Sequence, residues 1–388
     1  MDPSLQHEIT PEKQLLMCCA RTRMTPEIAD RVRELAAGTI DWELLLGDAH
    51  EHSVFPLLER QMRSVVAEAI PAGIAEKLKQ DARANTVRCL ALSAELIRVM
   101  GALESRGVAA IPYKGPTVAA QAYGDFTSRE FEDLDVIVRA SDLPAAHEAV
   151  SGLGYEARSP WVHDRGKAAK QPPGEYNYFH KERRTILELH TELTLRHFPV
   201  APKLEEVIAR RVEVDLGGRK VATLAPEDAL VFLCVHGSKD FWAKLVWVAD
   251  IAELSQAFPA MDWDAAARRA EELGAGRMMN LGLALAMDLL GAELPGEVKA
   301  RVLRDEAAQG LAARLGRDLL ARSATPMSAR ERFRFRRQLV PGAMAGWNYA
   351  SRLTLAPAED DWLMLRLPRP LAPLYLLLRP LRLLRKYG

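Results

Sequence analysis

The chain has 388 residues, 48% of them apolar and 27% charged, with acids and bases balanced at 52 each. That length predicts roughly two or three domains with a substantial core, and the composition is that of a soluble globular protein. The charge balance excludes a global field aimed at nucleic acid or membrane, and four scattered cysteines (Cys18, Cys19, Cys89, Cys234) exclude a disulfide framework or a zinc site.

The opening "MDPSLQHEITPEK" carries acids and no apolar h-region, so no secretory signal is expected, and reduced cysteines fit a cytoplasmic protein. Residues 1–105 read as helices. "PEKQLLMCCART" has apolar residues at helical spacing. "TPEIADRVRELAAG" starts on Thr25 and Pro26 and stops at Gly38, and Ile74 to Glu104 is a long Ala/Leu-rich pattern. The texture then changes. Val108 to Tyr113 is a short strand, Gly115 and Pro116 punctuate it, and Thr117 to Tyr123 predicts a short helix capped by Gly124. Phe131 to Val138 is a second strand, and Ser141 is placed to cap a helix from Asp142 to about Gly152.

"RSPWVHDRGKAAKQPPGEYNY" has loop composition, and "YNYFHK" and "TILELH" around Glu182-Arg183-Arg184 predict a hairpin. "VEVDLGGRKVATL" predicts a second strand pair turning at Gly217-Gly218. From Pro226 on the pattern is helical, with breaks at "SATPMSAR" and "LTLAPAEDD". The most apolar segment, Leu371 to Leu384, is interrupted by Pro373, Arg379 and Pro380 and is too short to span a bilayer. The expected fold is α+β, with a small mixed-sheet core over 106–224 between helical regions at 1–105 and 225–388.

The chemistry concentrates in "YKGPTVAAQAYGDFTSREFEDLDVIV", Tyr113 to Val138. Strand residues two apart share a face about 6.5–7 Å from each other. Leu134, Val136 and Val138 therefore turn to the core, and Asp133 and Asp135 stand together on the other face. Two such carboxylates repel unless a divalent cation bridges them, so Asp135→Asn is expected to leave stability equal or higher. Magnesium between paired carboxylates and substrate phosphates is the usual arrangement of phosphoryl and nucleotidyl transfer. Upstream, Gly115 lets backbone N–H groups approach a phosphate, and Lys114 adds a cation. Alternation in "TILELH" turns Leu187 and Leu189 inward and leaves Ile186, Glu188 and His190 outward, which makes Glu188 the candidate third carboxylate. A solvated acid on an exposed hairpin is the competing reading.

Other residues divide between roles. Arg129, four before Asp133, either clamps a phosphate or neutralises the acid pair. His236, Lys239 and Trp242 share a helical face if one helix runs through Gly237. Lys239 or Lys244 would then hold a triphosphate and Trp242 would stack on a base, against a helix packed on the core with Trp242 buried and His236 bonded to backbone. Trp247 reads as core, and Asp250 as a structural partner of a nearby base. His50, His52, His163 and His180 have no ligand spacing, and "RERFRFRR" reads as a solvated helix burying two Phe residues rather than a nucleic-acid surface.

The order "KG…Y…R…DLDVIV…ELH…H" resembles the uncharacterised nucleotidyltransferase family of the polymerase-beta-like superfamily. Lys114, Gly115, Tyr123, Arg129, Asp133, Asp135, Glu188 and His190 carry the resemblance. It continues through His236, Lys239, Trp242, Leu245, Trp247 and Asp250 in "LCVHGSKDFWAKLVWVADIAEL" and into the tail "LYLLLRPLRLLRKYG". Asp240-Phe241 departs from the small or basic residues expected there. The resemblance implies a nucleotidyltransferase fold and magnesium, as two ions of which one arrives with the NTP. The expected reaction moves NMP from an NTP, ATP by default, to an unidentified small-molecule, peptide or protein acceptor with release of pyrophosphate. The alternative is a non-catalytic module of the same fold that recognises a peptide or biosynthetic partner, which would normally have lost one of the three acids. A metal-dependent glycosyltransferase lacks its nucleotide-sugar domain, because residues 1–105 read as helices.

Overall fold

The computed structural model describes residues 9–158, 174–192, 204–321 and 327–340, with residues 342, 351, 374, 378, 381 and 382. Helices α1 (Pro11–Cys19) and α2 (Pro26–Ala36) each begin on a proline behind a threonine, and the hydroxyls of Thr10 and Thr25 accept from the N–H groups of Lys13 and Ile28 at 3.4 Å. Asp41 caps α3 (Trp42–Glu51), and α4 (Phe55–Val65) follows a sharp corner at Ser53, φ 55°. Helix α5 (Ala72–Ser105) has 34 residues and so runs about 50 Å.

Five strands follow: β1 (Ala110–Pro112), β2 (Asp133–Val138), β3 (Tyr155–Ala157), β4 (Glu175–His180) and β5 (Thr185–His190). They form one mixed sheet in the order β1-β2-β5-β4-β3, in which β2 and β5 are parallel and the other neighbours antiparallel. The expected hairpin is β4–β5. Strand β3 went unpredicted because three residues are too few to show alternation. One face of the sheet carries Leu134, Val136, Val138, Tyr176, Tyr178, Leu187 and Leu189, and packs against Cys89, Leu92, Leu96 and Val99 of α5 and Ala146, Ala149 and Val150 of α7 (Leu143–Gly152). Burying two helices on that face leaves the opposite one to the acids. Ser141 does not cap α7; its hydroxyl donates to the neighbouring Asp142 carboxylate instead.

The short helix expected after Gly115 is α6 (Pro116–Val118), which widens into a π-helical turn over Ala119–Tyr123 and ends on Gly124, φ 68°. Helix α8 (Leu204–Ala209) leads to a separate ribbon of β6 (Val212–Asp215) and β7 (Lys220–Thr223), turning through Gly217 and Gly218 at φ 66° and 87° as expected. Seven helices follow: α9 (Pro226–Lys239), α10 (Leu245–Ala257), α11 (Trp263–Glu272), α12 (Gly276–Leu290), α13 (Gly296–Arg304), α14 (Glu306–Leu320) and α15 (Ala329–Leu339). Side chains of α1 to α4 and of α9 to α15 share one large hydrophobic core. On α15 Phe335 is buried and Phe333 is 42% exposed, so that helix buries one Phe and not two, as residues two apart face opposite sides of a helix. Most of the expected loop from Arg158 to Tyr178, the break at 353–361 and most of the C-terminal tail lie outside the described residues. Among the described residues no helix is long and apolar enough to cross a membrane.

Candidate active site

The parallel pairing of β2 and β5 sets Asp135 opposite Glu188 and Ile137 opposite His190. Alternation within each strand then brings Asp133, Asp135, Glu188 and His190 to the same face. Ligand atoms of Asp135, Glu188 and His190 all lie within 4.8 Å of one another, and no other such trio of acidic, cysteine or imidazole groups occurs among the described residues.

Asp135 is 3% exposed and accepts on Oδ1 from Lys114 Nζ at 2.7 Å and from His190 Nε2 at 2.9 Å. The same Nε2 lies 3.4 Å from Glu188 Oε2. Burial alone would raise the Asp135 carboxyl, but Lys114 and His190 outweigh it and hold the group well below the carboxylate range. Burial likewise opposes the charge of Lys114, and Asp135 outweighs it, so the ammonium is held firmly protonated. Asp133 has no such partner: burial, then repulsion from Asp135 and Glu188, pushes its carboxyl up to about 6. Carboxylate oxygens thus exceed the cations that face them. The two carboxylates and the imidazole of Asp135, Glu188 and His190 form a group that could hold a metal ion.

The turn beside the acids is tight. Gly115 adopts φ 54°, ψ −122°, and a Cβ there would lie 3.4 Å from the Asp133 carbonyl and 3.7 Å from Phe131. Only glycine takes this backbone without strain. Lys114, Gly115, Asp133 and Asp135 line a cleft of about 510 Å³ that His236, Lys244 and Trp247 also line. At its mouth His50 sits 3.3 Å from Asp81 and 3.6 Å from Glu130, and those carboxylates, Glu130 first, raise its pKa despite partial burial.

The model of the uncharacterised nucleotidyltransferase family matches residues 38–291. The chain belongs to that family. Curated proteins give no match. Among solved structures, the solution structure of the antibiotic-resistance factor ANT(2'')-Ia is similar over 57% of this chain and 94% of that one, at 11% identity and a TM-score of 0.29. That likeness is too distant to carry residues across.

The structure gives Arg129, His236, Lys239 and Trp242 places other than the nucleotide-binding ones weighed for them, and for Trp242 it gives the buried alternative. Arg129 is not free to clamp phosphate: its guanidinium grips Asp250 at 2.7 and 2.8 Å with both side chains buried, and Tyr123 donates to Asp250 Oδ1 at 2.8 Å. Asp250 is the structural partner expected of it. The helix predicted to carry His236, Lys239 and Trp242 on one face ends at Lys239, because Phe241 and Trp242 turn left-handed at φ 60° and 52°. Trp242 consequently packs into the core, fully buried, its ring 2.7 Å from where a Cβ on Gly237 would stand and 2.9 Å from one on Gly282. It cannot stack on a base. Lys239 falls outside the cleft wall and lies 3.7 Å from Glu175. His236 bonds no backbone carbonyl; its ring contacts Asp240 at 3.4 Å and stands T-shaped on Trp247, and burial, then Lys114, keeps it neutral.

Lys244 does reach the cleft, its Nζ 3.1 Å from Ser53 Oγ. Trp247, expected in the core, is half-buried at the cleft. His50, Asp81 and Glu130 were missed as cleft residues. They come from α3, α5 and the approach to β2, and no motif links them.

Proposed function

We propose that the protein is a magnesium-dependent nucleotidyltransferase that moves NMP from an NTP to an acceptor nucleophile and releases pyrophosphate. One observation carries this: Asp133, Asp135 and Glu188 share one face of the sheet beside the Gly115 turn, where ligand atoms of Asp135, Glu188 and His190 lie within 4.8 Å of one another. Family membership supports nucleotidyl transfer in general; the metal, the direction of transfer and the residue roles are the proposal.

Asp133, Asp135 and Glu188 would hold two magnesium ions, one arriving with the NTP. Bound there, the ions would neutralise phosphate charge and acidify the acceptor. Lys114 holds the charge of Asp135 in check and lies next to the Gly115 backbone, where the β- and γ-phosphates would sit, with Lys244 of the same cleft reaching them. His190 fixes the Asp135 carboxylate in place. The acceptor oxygen bonds to the α-phosphorus, the bond from that phosphorus to the bridging oxygen breaks, and pyrophosphate leaves. The acceptor's proton goes to Glu188, whose side chain is 19% exposed. Catalysis is then positioning and charge neutralisation.

The test measures pyrophosphate release from each NTP, ATP first, with magnesium and a cell extract as acceptor source. Release should stop with EDTA and in Asp135→Asn. Full activity in that variant would place the site elsewhere, and silence of the folded wild type with every NTP would favour a binding module.

A further inference from the structure

We propose that the indole of Trp247 is the platform on which the nucleobase of the NTP rests. This rests on the nucleotidyltransferase reading and assigns the part of the cleft that reading leaves open.

The aromatic groups at the cleft narrow the choice. The ring of His50 is stacked on Phe55, centroids 4.4 Å apart and 9° from parallel, so that face is taken. Phe131 is 5% exposed and backs the Gly115 turn. Trp242 is in the core. Trp247 is half-buried and lines the cleft, and it meets His236 edge to face at 5.3 Å and 72°. A T-shaped neighbour fixes the ring and covers at most one face of the indole. The same cleft is lined by Lys114, Gly115, Asp133 and Asp135, the groups assigned to phosphate and metal. Lys244 stands three residues before Trp247, exposed at the same cleft, with Ser53 Oγ its hydrogen-bond acceptor at 3.1 Å. The cleft thus offers both charged groups for the triphosphate and an apolar aromatic surface, as a nucleotide requires. Every base has a π face, so such a platform supplies affinity without choosing the base.

The experiment compares wild type with Trp247→Leu and Trp247→Phe, measuring by calorimetry the affinity for magnesium ATP and for magnesium tripolyphosphate, which has no base. Leu keeps apolar packing against His236 and removes the π system; Phe restores it. Trp247→Leu is expected to weaken ATP about tenfold or more while tripolyphosphate stays within about twofold, and Trp247→Phe to recover most of the loss. ATP affinity unchanged in Trp247→Leu overturns the proposal. So does a parallel loss of both ligands, which would mark Trp247 as a structural support of the phosphate wall. A wild-type protein that binds neither ATP nor tripolyphosphate overturns the nucleotidyltransferase reading itself, a result distinct from either of these.

Discussion

Replacing Arg129 with methionine separates a structural ion pair from a phosphate clamp. In the folded protein the guanidinium makes two bonds to Asp250, at 2.7 and 2.8 Å, and a third to the Glu130 carbonyl at 3.2 Å. Asp250 is 0% exposed. Arg129→Met leaves that carboxylate buried with the Tyr123 hydroxyl as its remaining donor. Breaking a buried pair from one side costs about 3–5 kcal/mol. A chain this long loses roughly 2 °C of thermal midpoint per kcal/mol, so the expected fall is about 6–10 °C. The double variant Arg129→Met/Asp250→Leu removes both charges and should regain more than half of it, and adding Tyr123→Phe removes the donor then left unpaired. Circular dichroism melts give the midpoints, and calorimetry with magnesium ATP gives the affinity, expected within about threefold of wild type in the folded single variant. A single variant within about 1 kcal/mol of wild type that binds ATP tenfold more weakly would refute the reasoning and restore Arg129 as a phosphate ligand.

The two aspartates should part company in metal-free buffer at neutral pH: Asp133→Asn raises the thermal midpoint because its charge is repelled, whereas Asp135→Asn lowers it because buried Lys114 loses its partner. Equal midpoints would contradict the charge distribution described above, and the relief by Asp135→Asn that the sequence suggests is not expected. Gly115→Val should cost about 1–3 kcal/mol from its backbone conformation and weaken NTP binding; an unchanged dissociation constant would place the triphosphate away from the turn. Glu188→Gln should bind magnesium NTP within several-fold of wild type yet turn over about a hundredfold slower, the loss of roughly 2.7 kcal/mol of transition-state stabilisation, and a wild-type rate would remove Glu188 from the chemistry.

The sequence makes one half of this site readable. Alternation with a period of two assigned Leu134, Val136 and Val138 inward and Asp133 and Asp135 outward, and the same rule turned Glu188 and His190 outward on a strand far along the chain. What alternation cannot supply is register between strands, so the facing of Asp135 and Glu188 had to come from the fold. The residues after Lys239 fit two readings by sequence, and Trp247 reads as core, for a specific reason. Phe241 and Trp242 break the helix in left-handed conformations with neither glycine nor proline to announce it, and the break sends Trp242 to the core and Trp247 to the cleft. Arg129 and Asp250 are 121 positions apart, beyond the reach of any local pattern.

The central claim is the direction of transfer. Wild-type protein, magnesium and a cell extract are incubated in parallel with ATP labelled at the α-phosphate and with ATP labelled at the γ-phosphate, and the product is separated from nucleotide. The account predicts that the α-label enters the product while the γ-label appears in pyrophosphate. Transfer of the γ-label to the product, with the α-label left in ADP, would make the protein a kinase and contradict the account.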